Sequence, residues 1–452
     1  MSLRIAYLTA GGAGMFCGSC MRDNTLVAAL HRQKVDAQLV PLYTPIRTDE
    51  AEVSVDRVFY GGINVYLQQN YPWLAAIPGL GSLCDWLLDQ PWLISFATGF
   101  GIETNAAVLG DITVSVLQGE DGRLKHEADK LCDWLVKEVK PDIVNLSNIL
   151  IAGCVPEMKR KLRVPVVVTL QGDDIFLHDL TEPYKTKAFT RIRELVKEID
   201  GFVVFSRYYS EFMQEYFGIP REKIHVVTMG IDTRDYSTID VSQAAPREDR
   251  PGPTIGYLAR LAPEKGLHIL VDAFLLLRKI PGCERARLAI AGWEGAKNLP
   301  YIEEQRAKIT SDGANRFVDW HGTVDRKQKL AFLQKLDVLS VPTTYHEPKG
   351  LFVLESLAAG VPVVQPAHGA FPELIEATGG GWLCRPDDPR DLAEKLAEAL
   401  RDDEARRAKG AAGREAVHSR FHADQAARET LALYQRMLGA PADETLREPQ
   451  SP

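Results

Sequence analysis

Short apolar runs alternate with amphipathic helical stretches along most of the chain, and this alternation limits its fold more than any other feature. In the first half, apolar runs such as Ile5–Thr9 and Val164–Leu170 are separated by helical stretches such as Lys185–Glu198. The same alternation resumes at Thr254–Leu258. Strands that alternate with helices are typical of parallel sheets covered on both faces. The sequence therefore predicts an α/β protein built on doubly wound parallel sheets.

A polar, proline-rich segment divides this alternation into two blocks of similar size. With 452 residues, the chain is too long for one ordinary hydrophobic core. We expect an N-terminal domain over residues 1–235, with an insert at about residues 43–110, and a C-terminal domain over residues 254–420, joined by a linker at residues 236–253. Ligands of such sheets bind at the carboxyl ends of the strands, so both domains are expected to present loops to a cleft between them.

The composition is that of a globular protein and argues against nucleic-acid-binding, secreted and disulfide-framework proteins. Hydrophobic residues make up 45% of the chain, charged residues 25%, and the net charge is −8. This acidic balance disfavours nucleic acid as a partner, because a phosphate backbone attracts a basic face. The first residues do not show the pattern of a secretory signal, so a cytoplasmic location is expected. Seven cysteines, an odd number, do not indicate a disulfide framework.

The least polar stretch, residues 71–102, contains Trp73, Trp86 and Trp92. We interpret it as a hairpin of core helices, and a platform for a sugar chain or a lipid-linked acceptor is the alternative. Prolines and aspartates interrupt it before any apolar run reaches the ~20 residues of a membrane span. Since no Lys or Arg occurs between Arg57 and Arg123, at most a weak association with a membrane surface is left open.

The loop after the first predicted strand contains glycines but completes no known phosphate-binding fingerprint. A Walker A loop is excluded, because the sequence has no Gly-Lys dipeptide. Gly12 and Gly14 suit a dinucleotide fingerprint, but Cys17 stands where its third glycine belongs. The two glycines allow a phosphate or sugar to approach the backbone closely, and a plain tight turn is the alternative.

Cys17 and Cys20 form a CxxC pair in the same loop. Such a pair near a helix start is compatible with redox chemistry. No second CxxC pair is present to complete a four-cysteine zinc site. Two packed thiols at a crowded turn are the simpler interpretation, and we predict no redox enzyme.

Two cations lie on one loop of the second block. Arg260 and Lys265 follow the strand Thr254–Leu258 and precede a predicted helix. Cations at the carboxyl end of a strand can clamp a diphosphate without a metal. Two solvated surface charges are the alternative.

Two glutamates flank a predicted helix start in the same block. Glu347 lies on a loop that Pro348 keeps irregular, whereas Glu355 lies one turn inside the helix that begins near Leu351. First-turn amides have no partner within a helix, so they can bind an anion. The amides concerned belong to Gly350, Leu351 and Phe352. Carboxylates on either side of that anion can accept hydrogen bonds from a ribose diol and from a hexose, and solvated surface acids are the alternative.

These segments resemble the retaining nucleotide-sugar glycosyltransferases of the GT-B fold that form family 4, the superfamily of glycogen synthase and sucrose-phosphate synthase. The most specific part is the E-x7-E pattern from Glu347 to Glu355, followed by Ala359–Val364 and Gly369–Glu373. The stretch Ser206–Asp232 is similar to the strand–helix–NGVD stretch of that family. The resemblance implies two Rossmann-like domains, and a C-terminal helix at about residues 421–440 that packs back on the first domain.

The resemblance also implies roles for individual residues. Glu347, Arg260 and Lys265 would be catalytic, Glu347 facing the donor sugar while the two cations neutralise the diphosphate. The donor-binding residues would be Glu355, which holds the ribose, together with Gly350, Leu351, Phe352, Gly12, Gly14, Gly292, His321 and Thr323.

The sequence departs from the family pattern on the acceptor side. Where members carry a Thr-x-His-Gly turn, this chain has Thr169-Leu170-Gln171-Gly172. Gln171 cannot act as an acid or base, so hydrogen bonding to sugar or acceptor is its expected role. Asp173 or Asp174 could contact acceptor hydroxyls, and a helix cap is the alternative.

The expected activity is hexosyl transfer from a UDP-, GDP- or ADP-sugar to a carbohydrate or other hydroxyl acceptor, with no metal and no cofactor. Charge gathers on the departing diphosphate, and positioned cations and amides can stabilise it. Two alternatives are a nucleotide-sugar-binding relative without transferase activity and a nucleotide-sugar 2-epimerase.

Overall fold

The computed structural model describes residues 3–11, 17–59, 106–238 and 252–439. Gly12, Gly14 and the three tryptophans of the insert lie outside these ranges. The chain divides into two compact units. The first contains residues 1–205, 210–230 and 423–452, and the second contains residues 206–209 and 231–422.

The elements of the described residues before residue 231 are β1 (Arg4–Thr9), α1 (Gly18–Arg32), β2 (Asp36–Pro41), α2 (Ala106–Gln118), α3 (Lys125–Trp134), β3 (Ile143–Leu146), α4 (Val155–Leu162), β4 (Val166–Thr169), α5 (Asp173–His178), α6 (Tyr184–Glu198), β5 (Gly201–Val204), α7 (Arg207–Phe217) and β6 (Ile224–Val226). Those after residue 251 are β7 (Thr254–Leu258), α8 (Leu267–Leu277), β8 (Arg287–Ala291), α9 (Leu299–Ser311), β9 (Val318–Gly322), α10 (Arg326–Leu333), β10 (Val338–Leu339), α11 (Leu351–Ala358), β11 (Val363–Pro366), α12 (Phe371–Thr378), β12 (Gly381–Cys384), α13 (Pro389–Arg401), α14 (Asp403–Arg420) and α15 (Ala423–Met437).

The first unit is built on a parallel sheet with the strand order β2-β1-β3-β4-β5-β6. Every residue of β3 and β4 is buried, as expected of strands covered by helices on both faces. The C-terminal helix α15 belongs to this unit. Arg32 of α1 forms an ion pair with Asp424 at 2.7 Å, and the Tyr434 hydroxyl donates to Asn145 Oδ1 at 2.9 Å.

The second unit is built on a parallel sheet with the order β12-β11-β10-β7-β8-β9. Strand β7 pairs with β8 on one side and with β10 on the other. The chain therefore winds outward in one direction through β8 and β9, and in the other direction through β11 and β12. The loops after β7 and β10 flank this switch point, which is where doubly wound sheets bind their ligands.

The predicted α/β class with doubly wound parallel sheets is confirmed, but two predicted elements of the second block differ from those observed. The sequence predicts a helical core over Leu330–Leu336, whereas α10 ends at Leu333 and begins at Arg326, because Asp325 and Gln328 form a capping box there. A strand is predicted over Val338–Pro342, whereas β10 ends at Leu339. The amide of Val341 donates to the Gln365 side chain at 3.3 Å rather than to a strand.

The start of the predicted linker is ordered within the second unit. Tyr236 is completely buried, and its carbonyl oxygen accepts a hydrogen bond from Arg414 at 3.1 Å. Residues 239–251 lie outside the described ranges. Among the helices of the described residues, none is long and apolar enough to cross a membrane.

Candidate active site

The loops after β7 and β10 approach each other closely at the switch point of the second unit. Gly266 has a φ of +71°, and a Cβ atom at this position would lie 1.7 Å from the carbonyl oxygen of Pro342. Only a glycine tolerates both the backbone conformation and this contact. The loop that carries Arg260 and Lys265 is thereby held against the loop that leads to Glu347.

Lys265 and Glu347 form the centre of the site. The Lys265 ammonium lies 3.1 Å from Glu347 Oε2. The Tyr345 hydroxyl accepts a hydrogen bond from Lys265 Nζ and donates one to Glu347 Oε2. The other carboxylate oxygen of Glu347 accepts from the backbone amides of Lys349 at 3.2 Å and Gly350 at 3.1 Å. Both oxygens of this carboxylate are therefore held in place.

Glu347 stays ionised although it is only 3% exposed. Burial alone would raise its pKa, but the charge of Lys265, the Tyr345 hydroxyl and the Gly350 amide together lower the pKa to about 2. Burial and the neighbouring Glu347 carboxylate raise the pKa of Tyr345 well above its usual value. At neutral pH Tyr345 is therefore a neutral phenol and Glu347 a carboxylate.

The helix α11 begins beside this carboxylate. Because the Gly350 amide donates to Glu347, that amide serves the carboxylate in this structure rather than the phosphate expected from the sequence. Leu351 and Phe352 are the first two residues of α11, so their N–H groups have no acceptor within the helix. The positive end of the helix dipole lies at the same point.

Arg260 is more exposed than Lys265. Its guanidinium donates to Glu264 at 2.7 Å, and 42% of its side chain is exposed. Exposed pairs of this kind contribute little to stability, so Arg260 can exchange this carboxylate for another anion at small cost.

Glu355 lies in the interior of α11 and is bound by a residue that the sequence does not single out. The Lys329 ammonium of α10 donates to Glu355 Oε1 at 2.5 Å. Only 6% of the lysine side chain and 13% of the glutamate side chain are exposed. This ion pair joins the helix after β9 to the helix after β10.

Three further predicted donor-binding residues, Gly292, His321 and Thr323, lie at the ends of β8 and β9. A Cβ atom on Gly292, where φ is +155°, would lie 1.7 Å from the carbonyl oxygen of Ala259. The Gly292 amide donates to the Gly322 carbonyl at 2.8 Å. His321 and Thr323 are exposed, and the His321 ring meets Phe332 of α10 edge-on at 5.2 Å.

In the first unit, Gln171 belongs to a buried polar network at the carboxyl ends of β1, β3 and β4. Its side-chain amide donates to Asp23 Oδ1 at 3.0 Å and to the Ser147 carbonyl at 3.1 Å. The two acceptors fix the amide orientation. Asp23 also accepts from Tyr7 at 3.1 Å and pairs with Arg22 at 3.2 Å.

Asp173 and Asp174 are both buried at the start of the short helix α5. The two carboxylate oxygens of Asp173 accept from the backbone amides of Ile149 at 2.7 Å and Gln171 at 2.8 Å. Burial raises the pKa of Asp173 to about 6 despite these bonds. Asp173 therefore joins the loops after β3 and β4. This is not the helix cap considered as the alternative, because the N-cap of α5 is Gly172 and no side chain caps that helix.

The second unit thus assembles Lys265, Glu347 and the first residues of α11 around one point. Its helix α10 contacts both Glu355, through Lys329, and His321, through Phe332. Sequence reasoning missed Tyr345, although it stands two residues before Glu347. It also missed Lys329, which in sequence looks like part of a charged helix surface. The Arg22–Asp23 pair was missed as well, because nothing local marks these residues as buried.

Solved structures show the same fold. A sucrose-phosphate synthase from Thermosynechococcus elongatus matches with a TM-score of 0.70 at 16% identity, covering 97% of this chain and 100% of that one. The Anabaena protein HepE in complex with UDP matches with a TM-score of 0.66 at 18% identity, covering 96% and 100%. The fold is that of the GT-B glycosyltransferases, as the sequence resemblance implied.

The sequence comparisons give the family. A model described as glycosyl transferases group 1 matches residues 239–416, and one described as glycosyltransferase family 4 matches residues 96–235. Glycogen synthase of Mycobacterium tuberculosis is 30% identical over 69% of this chain and 72% of its own length. A D-inositol 3-phosphate glycosyltransferase of Xylanimonas cellulosilytica is 32% identical over 53% of this chain and 58% of its own. The chain belongs to the group 1 glycosyltransferases.

Proposed function

We propose that the protein is a retaining hexosyltransferase that uses a nucleoside-diphosphate sugar and transfers the hexosyl unit to an acceptor hydroxyl without a metal ion. The observation that carries this proposal is the Lys265–Tyr345–Glu347 cluster, which lies at the switch point of the second unit beside the first turn of α11. A cation and helix amides that have no acceptor within their own helix, next to a buried carboxylate, suit a ligand with a diphosphate and hydroxyl groups.

The leaving diphosphate needs stabilisation as the glycosidic bond stretches. Lys265 and Arg260 each bind a carboxylate in this structure, and both can turn to phosphate oxygens. The N–H groups of Leu351 and Phe352 add two neutral donors at the helix start. Loss of one such donor typically costs ~3–4 kcal/mol of transition-state stabilisation. Cations and amides together can therefore take the role that a metal ion has in other phosphate sites.

Glu347 is suited to the sugar rather than to the phosphate. As an ionised group it can only accept hydrogen bonds, so it would bind donor-sugar hydroxyls. Its fixed negative charge would also stabilise the positive charge that develops on the sugar ring in glycosyl transfer. Its rigid hydrogen bonds to two amides keep the carboxylate from moving onto Lys265 alone.

The comparisons support a nucleotide-sugar donor. HepE of Anabaena has been solved with UDP and with UDP-glucose. Relatives named glycogen synthase and D-inositol 3-phosphate glycosyltransferase support a carbohydrate or polyol acceptor. We propose Gln171 as a contact to sugar or acceptor, because its carbonyl oxygen is buried and has no hydrogen-bond partner among the described residues.

The proposal is tested by assaying nucleotide release from UDP-, GDP- and ADP-glucose, with glucose, maltose and inositol as acceptors. We expect release with one donor, unchanged by EDTA, and an α-linked product by NMR. Lys265→Met should lose most of this activity, whereas Lys335→Met, at an exposed position, should keep it. An inverted product contradicts the retaining mechanism, and activity that EDTA abolishes and Mg²⁺ restores contradicts metal independence. Equal activity of Lys265→Met and Lys335→Met contradicts the placement of Lys265 in the active site.

A further inference from the structure

The Lys329–Glu355 ion pair is an enclosed cation–carboxylate contact within the proposed donor site. Lys329 is 5% exposed, and its ammonium lies 2.5 Å from Glu355 Oε1. Taking an ammonium out of water is costly unless a partner compensates it. The compensation here comes from the residue expected to hold the ribose.

The helix that carries Lys329 is itself well fixed. Asp325 accepts from the Gln328 amide at 2.8 Å, and the Gln328 side chain accepts from the Asp325 amide at 3.0 Å. Lys329 and Phe332 are three residues apart on α10 and so share one face of it. That face contacts Glu355 through Lys329 and His321 through Phe332. One capped helix therefore supports both Glu355 and His321, two of the predicted donor-binding residues.

The contact engages one carboxylate oxygen of Glu355. Lys329 binds Oε1, while 13% of the glutamate side chain remains exposed. A carboxylate fixed through one oxygen keeps the lone pairs of the other for two hydroxyl donors. Fixing it before the ligand binds also removes the loss of side-chain freedom that binding would otherwise cause.

We propose that Lys329 is a positioning residue that holds Glu355 to accept the hydroxyls of a ribose diol, so that the site selects ribonucleoside over 2′-deoxyribonucleoside diphosphates. This inference rests on the proposed function, because it assumes that a nucleotide sugar binds to the second unit. It goes beyond that function by assigning to Lys329 the positioning of Glu355 that makes this carboxylate selective for a ribose diol.

The test is isothermal titration of the intact protein with UDP, GDP and ADP, followed by the 2′-deoxy form of whichever binds best. Hydrogen bonds to a charged group imply that the wild type prefers the ribonucleotide by roughly 10- to 100-fold. In Lys329→Met this preference should fall towards parity, mainly through weaker binding of the ribonucleotide. Lys327→Met, at an exposed position of the same helix, should keep the wild-type preference.

A second pair of variants keeps the test decisive if Lys329→Met does not fold. The double variant Lys329→Met/Glu355→Gln contains no unpaired buried charge from this pair, whereas Glu355→Gln leaves the Lys329 ammonium beside a neutral amide. Both should have the same reduced preference, because Lys329 acts through Glu355.

Two results would overturn this inference and leave the proposed function intact. One is a folded Lys329→Met that keeps the wild-type preference for the ribonucleotide. The other is a double variant whose preference is clearly lower than that of Glu355→Gln. If the wild type binds none of the three diphosphates, the proposed function itself fails, and the inference fails with it.

Discussion

The ammonium of Lys265 lies 3.1 Å from the carboxylate of Glu347, and the two side chains come from loops on either side of the switch point of one sheet. Each neutralises the other in this structure, and Tyr345 hydrogen-bonds to both. A diphosphate ligand would therefore compete with an internal carboxylate for the same cation. This relationship leads to the first expectation about stability.

Lys265→Met should destabilise the fold as well as impair activity. It leaves the buried Glu347 carboxylate without its cation, and breaking a buried pair from one side typically costs about 3–5 kcal/mol. Chemical denaturation should show a loss of this order. The double variant Lys265→Met/Glu347→Gln should be more stable than the single lysine variant. If the loss of unfolding free energy in the double variant equals the sum of the losses in Lys265→Met and Glu347→Gln, the ion pair does not couple these residues.

Glu347 should make stability depend on pH in the acid range. Its folded-state pKa of about 2 lies below the ordinary value of 4.5. The folded state therefore favours the ionised form, and this contribution is complete above pH 4.5 and lost as the pH falls towards 2. Such a shift corresponds to about 3 kcal/mol. The unfolding free energy of Glu347→Gln, measured from pH 6 to pH 2.5, should fall less steeply than that of the wild type. Parallel curves would contradict the lowered pKa.

Asp173 should make stability depend on pH in the opposite direction to Glu347. Burial raises its pKa from 3.8 to about 6, so the folded state binds the proton more tightly than the unfolded state does. Its contribution to stability is therefore largest below pH 3.8 and declines as the pH rises to 6. Denaturation of Asp173→Asn should lack this decline, although the variant should be less stable overall, because one backbone amide loses its acceptor. A wild-type pH profile in Asp173→Asn would assign the titration to another group.

Gly369 should be indispensable for the position of Glu347. Its φ is +60°, and a Cβ atom would lie 2.8 Å from the Glu347 carbonyl oxygen. Gly379 has a φ of +65°, but its nearest neighbour would be 3.7 Å away, so Gly379→Ala is a matched control. Both variants bear the left-handed backbone cost of about 1–2 kcal/mol. Only Gly369→Ala should also lower nucleotide release by moving Glu347. Equal losses of activity in both variants would contradict this.

The sequence predicts those parts of the fold that depend on local pattern. The strand Thr254–Leu258 is predicted residue for residue, because it is a buried apolar run that follows a proline. A helix over Leu351–Ala359 is predicted, because Gly350 and Gly360 mark its ends, and the observed α11 ends one residue earlier, at Ala358. For α1 the sequence predicts a helix from about Arg22 to Arg32, whereas the observed helix begins four residues earlier, since Gly18-Ser19-Cys20 has no strong helix propensity.

The candidate site could be predicted only where a segment carries its own motif. Glu347, Glu355, Arg260 and Lys265 follow from local spacing and from the family pattern. Lys329 does not, because its partner is 26 residues away, and only packing shows that the lysine is buried. The use of the Gly350 amide by Glu347 likewise depends on the side-chain conformation of the glutamate, which no sequence pattern specifies.

The measurement that tests the central claim most directly is a thermal-shift panel of the wild type and Glu355→Ala with UDP, GDP, ADP and CMP. At about 100 times the dissociation constant a ligand should stabilise the folded protein by about 2.7 kcal/mol. We expect one diphosphate to raise the melting temperature of the wild type, with CMP giving little or no shift and with the effect lost in Glu355→Ala. If none of the diphosphates shifts the wild type, the second unit does not bind the nucleotide of a sugar donor, and the transferase account is contradicted.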